Sequence, residues 1–329
     1  MRIAQRSTLP HLFWQRRAAM SWNPLLDATI PIGNMVDAIE THHIARARDL
    51  GGFEVRRALP AAGRQMVGPF IFFDQMGPAE FLDGQGVDVR PHPHIGLSTV
   101  TYLLEGAMHH RDSLGNDTWI KPAEVALMTA GHGITHSERM DGPARPQRLL
   151  GLQTWLALPE TLEDAPPSYH HSMAVAQPVL EAEGKTVRLI LGAAWGAQAP
   201  TSLPSETFYA DAILAPFAAL PLPDDVEDRG VYVLSGSITS GGQDWQTGSM
   251  LIFRPSDALS VQAGPNGARL ILLGGATMGG PRFLWWNFVA SSRERIDAAR
   301  EAWRAGDWAH GRFQLPPTDN AEFIPAPDR

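Results

Sequence analysis

Short runs of β-branched and aromatic residues, broken at close intervals by glycine and proline, constrain this chain more than any other feature. Val67-Gly68-Pro69-Phe70-Ile71-Phe72-Phe73, Ser98-Thr99-Val100-Thr101-Tyr102-Leu103-Leu104, Val125-Ala126-Leu127-Met128-Thr129, Leu149-Leu150-Gly151-Leu152-Gln153-Thr154-Trp155, Val187-Arg188-Leu189-Ile190-Leu191 and Leu270-Ile271-Leu272-Leu273 all have strand length, and 31 Gly and 27 Pro supply the turns between such runs. The pattern reads as an all-β chain of short antiparallel strands in sandwiches or barrels. One helix is expected late, capped by Ser291 or Ser292, running to about Ala305 and stopped by Gly306, with Ile296, Ala299, Ala302 and Trp303 as its apolar face.

The 329 residues exceed one usual core, so two domains are expected. We place a loosely ordered leader at 1–44, a first β domain at 45–158, a proline-rich acidic linker at 159–184, a second β domain at 185–290, and a helix with tail at 291–329. The first 26 residues carry Arg2, Arg6, Arg16 and Arg17 and no acid, and lack an apolar stretch of signal-peptide length; they read as a disordered tail, or as upstream of a true start at Met20, in preference to a targeting signal. The net charge of −8 argues against direct contact with a nucleic-acid backbone. No cysteine is present, which excludes disulfides, thiolate-bound zinc and iron–sulfur clusters and fits the cytoplasm. No apolar run is long enough for a membrane span.

The chemistry concentrates in two short pairs, His92-Pro93-His94 and His136-Ser137-Glu138. On a strand, residues i and i+2 share a face. Two such strands side by side bring three imidazoles and one carboxylate together, a donor set for a divalent first-row transition metal. Pro93 suits an edge or bulged strand, and Gly96 and Gly133 allow close backbone approach. His109 and His110 face opposite sides of a strand, so one of them, His110, is a candidate to line the cavity. His132 is a candidate substrate contact or a loop histidine satisfied by backbone; His170, His171, Lys121 and Arg139 read as solvated; Trp285, Trp286 and Trp303 read as core or as a docking surface for the helix.

A weak repeat pairs Tyr102-Leu103-Leu104-Glu105-Gly106-Ala107-Met108 with Tyr232-Val233-Leu234-Ser235-Gly236-Ser237-Ile238. In that register Leu222 and Asp224 replace His92 and His94, while Val261 and Ala263 fall near the places of His136 and Glu138, so only the first half carries the donor set.

Longer motifs surround the pairs. Arg90-Pro91-His92-Pro93-His94, Thr99 to Gly106, His110-Arg111-Asp112-Ser113-Leu114-Gly115 and Met128-Thr129-Ala130-Gly131-His132-Gly133-Ile134-Thr135-His136-Ser137-Glu138 resemble the pirin family of the cupin superfamily, as do Phe53-Glu54-Val55-Arg56-Arg57 and Met66 to Pro78. The resemblance spans roughly residues 50 to 290. It implies a bicupin with iron(II), or another first-row divalent ion, held in the first barrel by His92, His94, His136 and Glu138. Each ligand histidine should donate its other nitrogen to an acceptor, Asp112 or a backbone carbonyl. Ile95 and Ser98 stand where the family pattern has Arg and Glu, which leaves the ligands intact and puts the polarity of the cavity mouth, and the substrate, in question. Some pirins are similar in activity to quercetin 2,3-dioxygenases. The resemblance thus implies a dioxygenase taking a small aromatic substrate and O2, with Glu138 as base. It equally implies a regulator whose bound iron senses redox state and changes affinity for a protein partner. A metal-stabilised barrel without turnover is the third reading.

Overall fold

The computed structural model describes residues 38–49, 54–81, 86–141, 148–255 and 258–328. Twelve strands come first: β1 (Ile39–Ile44), β2 (Arg46–Asp49), β3 (Glu54–Leu59), β4 (Phe70–Glu80), β5 (Asp88–His94), β6 (Leu97–Glu105), β7 (Met108–Asp112), β8 (Asp117–Ile120), β9 (Val125–Thr129), β10 (Ile134–Arg139), β11 (Arg148–Ala157) and β12 (Ser168–Ser172). Nine more follow: β13 (Val179–Ala182), β14 (Lys185–Ala194), β15 (Ala197–Gln198), β16 (Thr207–Leu214), β17 (Ala219–Pro221), β18 (Asp228–Ser240), β19 (Gln243–Gln246), β20 (Ser249–Phe253) and β21 (Ser260–Gly275). The hairpin β22 (Phe283–Trp285) and β23 (Phe288–Ala290) leads into α1 (Arg293–Ala305).

Two β-barrels of the cupin type result. In the first, a seven-stranded sheet ordered β12-β9-β6-β11-β4-β3-β2 faces a four-stranded sheet ordered β5-β10-β7-β8. The second is built on the ten-stranded sheet running β1-β20-β18-β21-β16-β14-β13. Alternation along β21 shows why these strands read as unbroken apolar runs. Leu270 and Leu272 fill the interior of the second barrel. Ile271 and Leu273 face the other way, into a core shared with Phe70, Val100, Tyr102 and Leu152 of the first barrel. With both faces buried, no polar alternation is left to read.

The repeat has structural counterparts. The Tyr102 hydroxyl crosses to Asp211 at 2.9 Å, and the Tyr232 hydroxyl crosses back to Gln75 at 2.7 Å. Leu222, Val261 and Ala263 all lie in the apolar core of the second barrel, so its interior is plugged where the first is polar.

Three segments differ from the sequence reading. Ile39–Ile44, placed in the leader, is a strand that pairs with β20 of the second barrel; residues 1–37 lie outside the described residues. Ser168–Ser172, placed in the linker, pairs with β9, and Val179–Ala182 pairs with β14. A short polar segment has too few apolar residues to reveal that it borrows a neighbour's edge. The helix matches its expected limits: Ser292 accepts from the Arg295 amide, Gly306 is left-handed at φ 66°, and Ile296, Ala299 and Trp303 are buried.

Candidate metal centre

The register of the four-stranded sheet assembles the centre. His136 stands opposite His92 on one side and opposite Asp112 on the other, and Glu138 stands opposite His110. A bulge between His136 and Glu138 shifts the β5 pairing, and Pro93 lies on β5, the edge strand of this sheet. At the end of β5 the chain turns at Gly96, φ 64°, where a Cβ would collide with the Val289 carbonyl; Gly133 has a helical-tail phenyl, Phe313, as its near neighbour instead.

His92, His94 and His136 are buried, and one ring nitrogen of each lies within 4.8 Å of the other two. Their remaining nitrogens settle the tautomers. His92 Nδ1 donates to the Arg90 carbonyl at 2.9 Å, and His94 Nδ1 donates to the Asn287 carbonyl at 3.0 Å. His136 Nδ1 lies 3.4 Å from His110 Nδ1, and His110 Nε2 lies 3.0 Å from Asp112 Oδ2. Asp112 also accepts from the Leu114 and Asn116 amides, which fix its carboxyl in place as an acceptor. His110 therefore donates to Asp112 through Nε2 and accepts from His136 at Nδ1. All three Nε2 atoms are left as bare lone pairs aimed at one another.

His94 Nε2 and His136 Nε2 are only 3.1 Å apart. Two acceptors at that distance repel unless a cation sits between them. Metal–nitrogen bonds of about 2.1 Å meeting at a right angle would put their nitrogens about 3 Å apart. The donor set fits a divalent ion on this observation. Burial keeps the imidazoles neutral, as ligation requires: His92 is pushed down to about 4 by desolvation, and His94 and His136 well below the usual histidine value by desolvation and by their neighbouring imidazoles.

Glu138 lies beside this trio rather than within it. It lines the same cavity, and its Oε1 accepts from Gln153 Nε2 at 3.0 Å and from Thr101 Oγ1 at 3.4 Å. Burial raises its carboxyl to about 7 against the opposing pull of those two donors. The cavity measures about 500 Å³. Its walls are mostly apolar and aromatic, including Phe72, Met76, Met108, Trp155, Leu284, Trp286 and Ile324. That size and lining suit a small aromatic molecule.

Several expected roles change. His110 does not line the cavity; it is buried behind His136, stacked on Tyr169 with centroids 4.4 Å apart. His132 is exposed, with its carbonyl accepting from Arg312 at 2.6 Å, and stands apart from the cavity. Neither Ile95 nor Ser98 lines the cavity: Ile95 packs with Phe288 and Phe313, and Ser98 bonds Thr129 at 2.8 Å. His171, expected in solvent, meets Glu124 at 3.0 Å. Arg139, also expected in solvent, binds Asp319 through both Nε and Nη2 and also holds Asp88 and Glu322.

Residues that sequence reasoning missed come from distant segments. Asn287 and Trp286 arrive from the hairpin, Ile324 from the tail, and Arg57 and Asp74 from β3 and β4. Gln153 carried a signal: it is a lone amide in the apolar run Leu149 to Leu158, on a strand whose neighbours are buried.

A buried three-histidine cluster opening on an aromatic-walled cavity, inside one of two cupin barrels, defines a two-domain cupin with a candidate metal centre. The pirin family model matches residues 52–156, and the model of the pirin C-terminal cupin domain matches residues 209–309. The chain belongs to the pirin family. A pirin-like protein of Caulobacter vibrioides is 45% identical over 288 residues, covering 86% of this chain and 98% of that one. A Pseudomonas aeruginosa protein named "Putative quercetin 2,3-dioxygenase" is 41% identical over 272 residues, covering 82% of this chain and 85% of that one. The solved structure of a quercetin 2,3-dioxygenase from Acinetobacter baumannii superposes with a TM-score of 0.80 at 32% identity, covering 87% of this chain and 94% of that one.

Proposed function

We propose that this chain is a metal-dependent dioxygenase that opens the ring of a flavonol-like or catecholic substrate with O2. One observation carries the reading: three buried imidazoles converge, and two of them, His92 and His94, line with Glu138 a cavity sized for an aromatic molecule. The names of the Pseudomonas and Acinetobacter relatives point the same way.

His92, His94 and His136 would hold the ion, with Glu138 two residues beyond His136 on β10. The family implies iron(II); manganese, cobalt, nickel, copper and zinc suit the same donors. When bound, the ion supplies acidification of a substrate hydroxyl and charge stabilisation at the reacting oxygens. Glu138 is the base. Gln153 donates to Oε1, Thr101 (whose short bond runs to Gln153 Oε1 at 2.7 Å) adds a long contact to the same oxygen, and among the described residues none donates to Oε2. The carboxylate is thus oriented through one oxygen and takes the substrate proton on the other. Its place on the cavity wall, beside the three imidazoles, puts that free oxygen where a substrate hydroxyl would lose its proton. Trp155, whose ring meets the edge of His94, and Trp286 add apolar aromatic surface to the wall and exclude water.

The test is quercetin consumption under air by protein reconstituted anaerobically with iron(II), with carbon monoxide and metal content read on the same samples. Turnover releasing carbon monoxide, lost in His94→Ala and Glu138→Ala, is the expected result. Bound metal without quercetin turnover would overturn the reaction, and wild-type protein that binds no metal would overturn the centre.

A further inference from the structure

We propose that Arg57 recognises an oxygen on the far ring of the substrate, so that the cavity selects planar aromatics oxygenated at both ends. This rests on the dioxygenase reading and names its substrate class. Arg57 lies on β3, and with Val55 it faces the cavity. It is the one arginine or lysine among the lining residues.

The side chain is held rigidly. Its Nε and Nη2 donate to the two oxygens of Asp74 at 2.9 and 2.8 Å, and the Asp74 side chain is 4% exposed. Its guanidinium lies 4.3 Å from the centroid of Phe72. A bidentate carboxylate and an aromatic face together fix the plane of the fork. Both bonds to Asp74 use one edge of that fork. Nη1 has no partner among the described residues, and the side chain is 30% exposed. A guanidinium that served only to neutralise Asp74 would have no need of a cavity wall.

The path from Arg57 to the centre is aromatic. Phe72 stacks on Trp155 with centroids 4.0 Å apart, and Trp155 meets the edge of His94 at 5.2 Å. Two ring layers therefore separate the cation from the metal-holding end. Val55, Met76 and Met108 add apolar surface to the same wall. A ligand satisfying both ends needs chelating oxygens at the histidines, a flat apolar middle and an acceptor oxygen at Arg57. Asp74 balances the charge, so Nη1 offers a directed hydrogen bond rather than a net positive field, which suits a hydroxyl or phenolate oxygen.

The test is anaerobic binding to the iron(II)-loaded protein, followed by quenching of tryptophan fluorescence, with turnover measured separately. Quercetin, hydroxylated on both ring systems, is compared with 3-hydroxyflavone, which keeps only the chelating pair. Arg57→Met is expected to weaken quercetin about tenfold, the loss of one hydrogen bond to a charged group, and 3-hydroxyflavone less than about twofold. Arg57→Met/Asp74→Leu removes the whole pair and carries the same comparison should the lone buried Asp74 prevent folding. Equal losses for both ligands, or none, would overturn the role of Arg57 and leave the dioxygenase standing. A selective loss of quercetin binding in a protein that never turns it over would support Arg57 and overturn the reaction. Wild-type protein that binds neither flavonol would overturn both.

Discussion

The histidine tautomers and the carboxyl of Glu138 make opposite demands on protons. The usual histidine value is 6.5, and His92 falls to about 4 in the fold. Its contribution to stability is therefore full above about pH 6.5 and lost as the pH falls towards 4, because the unfolded chain takes up protons that the buried ring refuses. Glu138 rises from 4.5 to about 7, so its contribution is full below 4.5 and lost as the pH rises through 7. Three imidazoles outweigh one carboxyl, so the metal-free protein should melt lower at pH 5 than at pH 6.5, with a shallower slope in His94→Asn. At pH 6 the metal-free carboxyl carries a proton and the imidazoles carry none. Metal binding at that pH should release about one proton if Glu138 ligates, and none in Glu138→Gln; calorimetry in buffers of different ionisation enthalpy measures it. Release of none by the wild type would remove Glu138 from the ligand set. His110→Phe keeps the stack on Tyr169 but takes away the acceptor of His136 Nδ1, and should weaken metal binding about 10- to 100-fold with the fold intact. At this scale the clustered histidines were legible because a period of two is written in the sequence itself. His110 was legible as a strand residue but not in its role, since which side of a neighbouring imidazole it meets depends on the register of β7 against β10.

The elements that complete the cavity come from outside the barrel that holds the histidines. The β22–β23 hairpin delivers the Asn287 carbonyl to His94, and its Val289 amide bonds the Ile95 carbonyl at 3.2 Å. The tail crosses the outside of the four-stranded sheet: the Ile324 amide donates to the Pro91 carbonyl at 2.8 Å, between Arg90 and His92. Trp303 of α1 bonds the Ile324 carbonyl at 3.0 Å, and Arg139 grips Asp319 and Glu322. Arg139→Met should therefore loosen the tail while leaving the barrels folded. Hydrogen exchange should rise across residues 316–328, and flavonol affinity should fall as Ile324 leaves the wall. Unchanged exchange in that segment would show that the helix contacts suffice. The helix was legible because its caps and its apolar face are local signals. The tail was not. Its proline, aspartate and threonine residues carry no apolar pattern, and the partners that dock them, such as Arg139 for Asp319 and Asp117 for Thr318, lie on strands far back in the chain.

Across the whole molecule the two barrels share one core rather than touching at a polar seam. Phe70, Phe73, Val100, Tyr102 and Leu152 of the first pack with Tyr209, Tyr232, Met250, Ile252, Ile271 and Leu273 of the second, all buried. The two crossed tyrosines pair polar groups buried there: Tyr102 and Arg269 both bind Asp211, and Tyr232 binds Gln75. The chain also exchanges an edge, since β1 precedes the first barrel yet pairs in the second. The repeat made two similar barrels legible, but not this interpenetration, because a residue buried between domains carries the same apolar letter as one buried within a domain. Separate unfolding of either barrel would expose the shared core and leave Asp211 or Gln75 without its tyrosine, so the described residues should melt as one unit despite the chain's length. Calorimetry should show a single endotherm whose van't Hoff and calorimetric enthalpies agree. A bound ion should move that whole endotherm upward, by about 4 kcal/mol of stability at free metal 1,000-fold above its dissociation constant, although its ligands lie in one barrel alone. Two resolved endotherms, with metal shifting only one, would mean that the interface is too weak to couple the domains. Tyr102→Phe tests the same coupling from the other side. It removes one bond to a carboxylate still held by Arg269, costs about 1.5 to 3 kcal/mol, and should lower the single transition rather than split it.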